Sequence, residues 1–553
     1  MKALFLLTSF LMLTTMGWSS TIHVPADYST IQGAIDAAVD GDMVLVAPGT
    51  YPENMTCKGK KISLISEQGP ESTVIDGKWM GWYPAISFAN GEGPETLLEG
   101  FTLTNGYAPE GGAIYCLNAS PTIRGNRIVA NNAGFGGGIF CKGSSPLIVN
   151  NHFSDNTSSF GGAISCRWGS SPIISNNTIE DNFGSQSGGG IECYENCSPE
   201  ISHNLIRDNA TGYTWSYGGG VYCNSSCSAL IEDNLIIGNM AVHSGGGIYD
   251  EQNCSSTIRN NTIRLNRAQN HYGGGIGSVG NTTPMISGNM ITENYAALDG
   301  GGIYTFYSGT TTITGNTIAD NRAGQHGGGI HCGAWSAMTI LNAILWGNRA
   351  PLGKEIFVGS TGSPSSCYID YSNLEGHLSH VYMEGGLFSH GAFMYTADPK
   401  FVDRMNHDYH LCYTSPLRNI GDPAAAGMAS KDFEGDPRQA HGPVDLGADE
   451  FHEHLYITGD AMPGQVICVC VLGLPRESAF LFLSDSVLEN PIPTVFGDWF
   501  LMPQVTALKL GAVPENGAIR LEVRIPETVP QGTVFYIQSL VQELTQLYTL
   551  TVE

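Results

Sequence analysis

The sequence predicts an all-β solenoid, and three observations carry that expectation. First, a unit of the form Gly-Gly-(Gly/Ala)-Ile-x-Cys, Ser-Pro-x-Ile, Asn-x-Ile-x-x-Asn is written nine times between residues 111 and 348. Second, its first isoleucine position falls at Ile114, Ile139, Ile164, Ile191, Val221, Ile248, Ile276, Ile303 and Ile330, at intervals of 25, 25, 27, 30, 27, 28, 27 and 27 residues, a period that marks a solenoid. Third, each unit holds three short β-prone segments that cannot bury an apolar face alone and must stack on their neighbours. The 71 glycines recur at fixed places in this unit, which separates the chain from low-complexity disorder.

The elements follow in chain order. Residues 1–20 carry Lys2, an apolar run Ala3–Met16 and then Gly17, Trp18, Ser19 and Ser20, the pattern of a secretory signal peptide with no Cys after it for a lipid anchor. The run is too short to span a membrane and no later stretch reaches the needed length. Residues 21–110 read as an N-terminal cap and first coils. Ile31, Ala34, Ile35 and Ala38 have helical spacing with Ser29 or Thr30 as N-cap, and strands follow at Met43–Ala47, Ile62–Ser66, Thr73–Asp76, Ala85–Ala89 and Leu97–Leu103. A short helix over the first coil shields the open apolar end of a solenoid.

Residues 111–348 are the repeated coils. Strand alternation turns Ile114 and Cys116 inward with Ile123 and Ile128, and Tyr115 outward. With coils about 4.8 Å apart, nine span roughly 40 Å. Two asparagine columns mark bends: Asn126, Asn151, Asn177, Asn204, Asn234, Asn261, Asn289 and Asn316, continuing at Asn342, and Asn131, Asn156, Asn182, Asn209, Asn239, Asn266, Asn294, Asn321 and Asn348. An inward Asn bonds its turn and its copy in the next coil, and tolerates left-handed backbone. Cys116, Cys141, Cys166, Cys193 and Cys223 form an inward column, with Cys197, Cys227 and Cys254 a second. Parallel Cβ vectors disfavour disulfides within the first column, so small apolar thiols are expected there. Pairing within the second column or of Cys193 with Cys197 stays open, as does zinc on the Cys-x3-Cys spacing, although the repeat already accounts for that spacing. Residues 349–452 read as closing coils and C-terminal cap, and residues 453–553, with alternating apolar runs, as a small β-sandwich.

The segment Thr30-Ile31-Gln32 through Gly49-Thr50-Tyr51-Pro52-Glu53-Asn54 resembles the opening of pectin methylesterases and of exported pectate-lyase-like proteins. The Gly-Gly-Ala-Ile and Asn-x-Ile-x-x-Asn units resemble the repeats of right-handed parallel β-helix proteins, among them chlamydial polymorphic outer-membrane proteins. Asn342 to Glu450, with Ala397-Asp398-Pro399-Lys400-Phe401-Val402-Asp403, Tyr409-His410-Leu411, Gly421-Asp422-Pro423 and Asp445-Leu446-Gly447-Ala448-Asp449-Glu450, is similar to the closing coils of large exported bacterial β-helix proteins. Together these cover about residues 22–451 and imply a right-handed three-sheet parallel β-helix. The last hundred residues are too short for the membrane barrel that follows the chlamydial repeats. The Gln-Asp-Thr-Leu and Asp-Phe-Ile-Phe-Gly motifs of the methylesterases, the Asp-Asp and Gly-His-Gly of polygalacturonases and a Trp-Ile-Asp-His lyase signature are missing. The resemblance therefore speaks for fold and not for activity.

A net charge of −26 disfavours nucleic acid and is compatible with calcium, neutral glycans or simple solubility. Asp155, Asp181 and Asp208 recur before the second Asn, with Glu293 and Asp320 later, and stacked carboxylates offer oxygen ligands to calcium. The same column also reads as a solvated face. Asp432, Arg438, Asp445 and Glu450 are expected to form ion pairs in the cap.

The outward residues of the Gly-Gly strand are Tyr115, Phe140, Ser165, Glu192, Tyr222, Tyr249, Gly277, Tyr304 and His331, and parity places them in solvent. Loops before the glycines add Phe135, Phe160, Tyr213, Trp215, Tyr217, His243, His271, Tyr272 and His326. Sugar rings stack on exposed aromatic faces, so Tyr115, Phe140, Glu192, Trp215, Tyr217, Tyr222, Tyr249 and Tyr304 are the candidate ligand-binding residues. Cross-strand aromatic stacking for stability is the competing account of the same column. The expectation is an exported or cell-surface, monomeric protein that binds a polysaccharide without catalysis. A polysaccharide lyase with a calcium/carboxylate face, and a structural adhesion or envelope component, are the alternatives.

Overall fold

The computed structural model describes residues 19–78, 82–359, 362–438 and 443–451, and the backbone of strands between 455 and 551. Of the leader expected over 1–20, residues 1–18 lie outside the described residues. Among the described residues no helix is long and apolar enough to cross a membrane.

The helix at the start spans Ile31–Ala37, and its N-cap is Thr30, whose hydroxyl accepts from Gly33 N–H at 3.1 Å. The Ile31 and Gln32 N–H groups donate to the Glu53 carboxylate at 2.8 and 2.9 Å, so a carboxylate from the next coil serves the helix N-terminus. Ile31, Ala34, Ile35 and Ala38 are buried against the first coil, as a cap requires. The expected strand Leu97–Leu103 is two strands, Leu97–Glu99 and Thr102–Thr104, because Gly100 turns the chain with a φ of 79°.

Between the coils the named strands all pair in parallel. The three expected sheets contain 13 strands of the Ile114–Leu117 type, 15 of the Thr122–Arg124 type and 14 of the Arg127–Val129 type. We call them the glycine, proline and corner sheets. A fourth stack of nine strands, from Tyr107–Glu110 to Arg322–Ala323, runs between the corner and glycine sheets. Its strands shrink to two residues, too short to show a period of two in the sequence. The inward isoleucines have no exposed area, and the same holds for both cysteine columns, in which every thiol is free.

Both asparagine columns are buried ladders. Asn182 is representative: its N–H and Nδ2 both donate to Asn209 Oδ1 at 3.0 Å, and Nδ2 also reaches the carbonyls of Phe153 and Glu180. The left-handed residue is not the ladder Asn but the one before it, at Asp155, Asp181, Asp208, Glu293 and Asp320, with φ between 53° and 58°. Asn342 does not continue the first ladder. The register pairs Asn316 with Ala343, and Asn342 instead holds Asp422 by two bonds, Nδ2 to the carbonyl and Oδ1 from the N–H, each 2.8 Å. The second ladder ends where Asn348 Nδ2 donates to the buried carboxylate of Glu355 at 2.5 Å.

Coils continue to Met394–Tyr395, and residues 401–438 and 443–451 then fold back along the flank of the corner sheet instead of adding coils. Tyr409 and Ala448 pack on Met290 and Ala319, and Leu411, Leu417 and Leu446 pack on Ile344. Arg404 pairs with Asp320, and the Tyr409 hydroxyl donates to Glu293 and Asp320 at 2.8 and 2.9 Å. The expected ion pairs of this cap are replaced by bonds to backbone. Asp432, Asp445 and Glu450 accept from the N–H groups of Asp436, Phe451 and Asp445, and Arg438 donates to the carbonyls of Gly447 and Ala448. A loop-rich segment buried this deeply needs partners for its peptide groups, and these charges supply them.

Antiparallel pairing begins in the folded-back segment, between Phe401–Asp403 and Asp408–Leu411, and continues in the strands after residue 451. Val466–Leu472 lies between Leu455–Thr458 and Ala518–Arg524, a four-stranded sheet joins Ser478–Ser484 to three others, and Val487–Thr494 pairs with Gly497–Leu501.

Candidate functional site

The glycine sheet brings its outward residues into one register column, Tyr115, Phe140, Ser165, Glu192, Tyr222, Tyr249, Gly277, Tyr304, His331 and then Phe357. Parity holds, but the expected exposure does not. Phe140 and Glu192 have no exposed area, Tyr222, Tyr249 and Tyr304 retain 4–6%, and Tyr115 and Tyr217 are half-buried. The side chains leave the coil and are then covered by rings from the loops that precede each strand. Tyr217 stacks on Tyr222 and Tyr249 at 6.2 and 5.1 Å, and Tyr272 on Tyr304 at 4.6 Å. Phe135 tilts onto Phe140 at 5.8 Å, and Trp168 meets the same ring edge-on at 6.1 Å.

Glu192 is occupied by its own neighbours. Its carboxylate accepts from Ser165 Oγ at 2.5 Å and Arg167 Nε at 3.2 Å, and pairs with Arg167 Nη2. The Arg167 guanidinium lies over Phe135, Phe160 and Tyr194 at 4.2, 4.8 and 4.6 Å. Burial raises the Glu192 pKa and Arg167 opposes that shift. The pair therefore belongs to the packed floor.

Above this floor stand the rims. In the loop Ala210–Tyr217, Tyr213 is 60% and Trp215 69% exposed. The loop is fixed by Thr211 Oγ against Ser216 Oγ at 2.7 Å and by Tyr213 N–H on the Ser185 carbonyl at 2.9 Å. Trp215 stacks on His243 at 4.8 Å, and His243 on His271 at 3.9 Å. Burial, helped by His271, pushes the His243 pKa down to about 4, so this stack is uncharged at neutral pH at that ring. Immediately after the glycine strands, on the other side of the floor, Trp168, Tyr307 and Trp335 are about half exposed. Each has a positive φ, of 56°, 49° and 56°, a conformation that bulky residues rarely adopt. Sequence reasoning missed these three. The available signal was an aromatic residue in a turn that other coils fill with small or polar residues, Asn118, Gly143, Glu195, Ser225, Gln252 and Gly280.

Asp155, Asp181 and Asp208 lie apart from the aromatic rims, exposed at the bend between the corner sheet and the short fourth stack. The Asp181 pKa is raised by burial and by the carboxylates of Glu180 and Asp155. Beside them Glu180 is held down at about 2 by its bond to His152 and then by Arg207, at 2.7 and 2.6 Å. Among the described residues, donor atoms converge within 4.8 Å in three other groups: Asp299, His326 and His331; Glu355, Glu375 and His380; His410, Glu434 and Asp449. Glu293 and Asp320, in the same column as the three aspartates, are taken up by Tyr409, His407 and Arg404 of the folded-back segment.

A family model described as right handed beta helix region matches residues 84–263 and 214–373. A search of curated proteins returns no match. Among solved structures, the chain is similar to an alginate lyase of family PL6 at 11% identity and a TM-score of 0.29, over 68% of this chain and 74% of that one. It is similar to a pectate lyase at 14% identity and a TM-score of 0.32, over 79% and 98%. A tailspike protein of Acinetobacter baumannii bacteriophage Fri1, described as a capsular polysaccharide depolymerase, aligns at 8% identity and a TM-score of 0.23, over 96% and 86%.

Proposed function

The chain belongs to the right-handed β-helix family, and from that premise we propose that it is an exported glycan-binding protein whose contact surface is the pair of aromatic rims beside the glycine sheet. The observation that carries this reading is Trp215, 69% exposed on a loop held by hydrogen bonds and backed by the His243–His271 stack. A large ring kept in water on an ordered loop has its desolvation energy available to a ligand. The C–H face of a pyranose matches such a ring, and covering it contributes about 2 kcal/mol, or about 30-fold in affinity. Trp168, Tyr307 and Trp335 extend the same chemistry along the other edge, so a chain of sugars has several platforms. The covered column residues Phe140, Tyr222, Tyr249 and Tyr304 hold the platforms in place from below, and Glu192 holds Arg167 among the rings.

The net charge of −26 favours neutral polysaccharides over acidic ones in the absence of a bridging cation. Affinity electrophoresis or pull-down on a panel of neutral and acidic polysaccharides tests the proposal. Trp215→Ala is expected to weaken binding by about 30-fold with unfolding unchanged. Parental binding by Trp215→Ala combined with Tyr213→Ala would remove this rim from the ligand site.

A further inference from the structure

We propose that Asp299, His326 and His331 form a binding site for a divalent transition-metal ion of the zinc type, using two imidazole nitrogens and one carboxylate. Two neighbouring coils bring them together. Asp299 and His326 are bridge partners in the loops that lead into the strands Ile303–Phe306 and Ile330–Cys332, and His331 is the outward residue of the second strand. One donor atom from each residue lies within 4.8 Å of the others. His326 Nδ1 is 2.8 Å from Asp299 Oδ1, and His331 Nε2 is 3.9 Å from Asp299 Oδ2. Those two distances bracket the donor separation of about 3.4 Å in a tetrahedral site with metal–ligand bonds near 2.1 Å.

A second observation is independent of that spacing. The contact between His326 and Asp299 is not aligned as a hydrogen bond, and Asp299 Oδ1 is buried without another hydrogen-bond partner. His331 is 95% buried, and its ring is clamped by Tyr304 at 5.0 Å and Phe357 at 4.9 Å. That clamp fixes the direction in which Nε2 points. Buried polar atoms ordinarily find partners, and a cation among these three residues supplies one to Asp299. Two nitrogens and one oxygen are a donor set suited to zinc and its neighbours and poorly suited to calcium or magnesium. Side-chain exposure rises from 6% at His331 to 14% at Asp299 and 28% at His326, so the site opens on the His326 side and leaves a coordination position for water.

The other two convergent groups differ in kind. Each holds a single histidine; Glu355 is bonded to Asn348, and His410 is bonded to Asp408 at 2.7 Å.

The test is equilibrium dialysis of the chelator-treated, tag-free full chain against micromolar zinc chloride, with bound metal read by mass spectrometry. One zinc per chain is expected, and Asp299→Ala and His326→Ala are each expected to weaken it at least about tenfold. His326 sits at the open edge, so its variant remains informative even where His331→Ala fails to fold. A parent chain that holds no zinc overturns the proposal. Parental zinc binding by both the Asp299 and His326 variants also overturns it, by assigning the metal to one of the other groups.

Discussion

At the scale of single residues, the structure separates side chains that pack from side chains that are free to meet a ligand. Glu192 is fully buried and neutralised by Arg167, so Glu192→Ala leaves a buried guanidinium among three rings with no counter-charge. It is expected to lower the unfolding free energy by about 3–5 kcal/mol in a denaturant titration. Asp250 continues the cysteine column at the partner position of Cys223; Ser256 Oγ donates to its Oδ1 at 2.9 Å, while Oδ2 has no partner. Burial raises its pKa from 3.8 to about 6, so the folded chain holds this proton more tightly than the unfolded chain. Its contribution to stability is therefore complete below about pH 4 and is lost as pH rises through about 6, an effect of about 3 kcal/mol. Asp250→Asn is expected to be more stable than the parent at pH 7 and to lose that advantage at pH 3.5; an equal gain at both values would assign the effect to something other than titration. Gly277 breaks the aromatic column because a Cβ there would stand 2.4 Å from the Tyr249 ring. None of this was legible in residue order: Tyr115 and Tyr222 have the same parity, and only the loop rings above them decide that one is half-buried and the other covered.

At the scale of elements, the asparagine ladders and the folded-back segment follow from one requirement, that buried peptide groups at bends be satisfied. Asn209 accepts from Asn182 and donates to Asn239 and to the Ile179 carbonyl. Asn209→Ala orphans the Asn182 N–H and the Ile179 carbonyl and is expected to cost about 3 kcal/mol in the same titration. The ladders were readable because one polar residue type, recurring once per coil at the same bend, must stack on its own copies; the end of the first was not. Asn342 looks like the next member by type, yet it lies one position early and ties down Asp422 instead. The carboxylates of Glu293 and Asp320 likewise find their partners in Tyr409, His407 and Arg404, more than eighty residues away. Asp320→Ala is expected to speed amide hydrogen exchange across residues 401–411 while leaving the coil strands protected; uniform exchange would show that this segment does not depend on the contact.

At the scale of the whole molecule, the solenoid is a stack in which every coil covers its neighbours, so interior side chains reach solvent only by opening a coil. The eight cysteines of the two columns are free and fully buried. Hydrogen bonding to the neighbouring thiol, together with burial, holds Cys141, Cys166 and Cys223 well above the ordinary thiol range. Thiol reagents are expected to leave all eight unmodified in the native protein and to modify them together on unfolding; early labelling of a subset would locate a coil that opens by itself.

The sequence by itself determined the repeat, the parallel all-β stacking, the inward isoleucine and thiol columns, the capping helix and the asparagine bends. Each of these depends on contacts between equivalent positions in neighbouring coils, and periodicity records such contacts directly. The tertiary structure alone decided which outward residues are covered and that residues 401–438 and 443–451 return along the corner sheet. It alone placed Trp168, Tyr307 and Trp335 at one edge of the floor and brought Asp299, His326 and His331 together. Those outcomes depend on loops of unequal length leaning over a neighbouring coil and on pairings across long separations. A repeat carries no record of either.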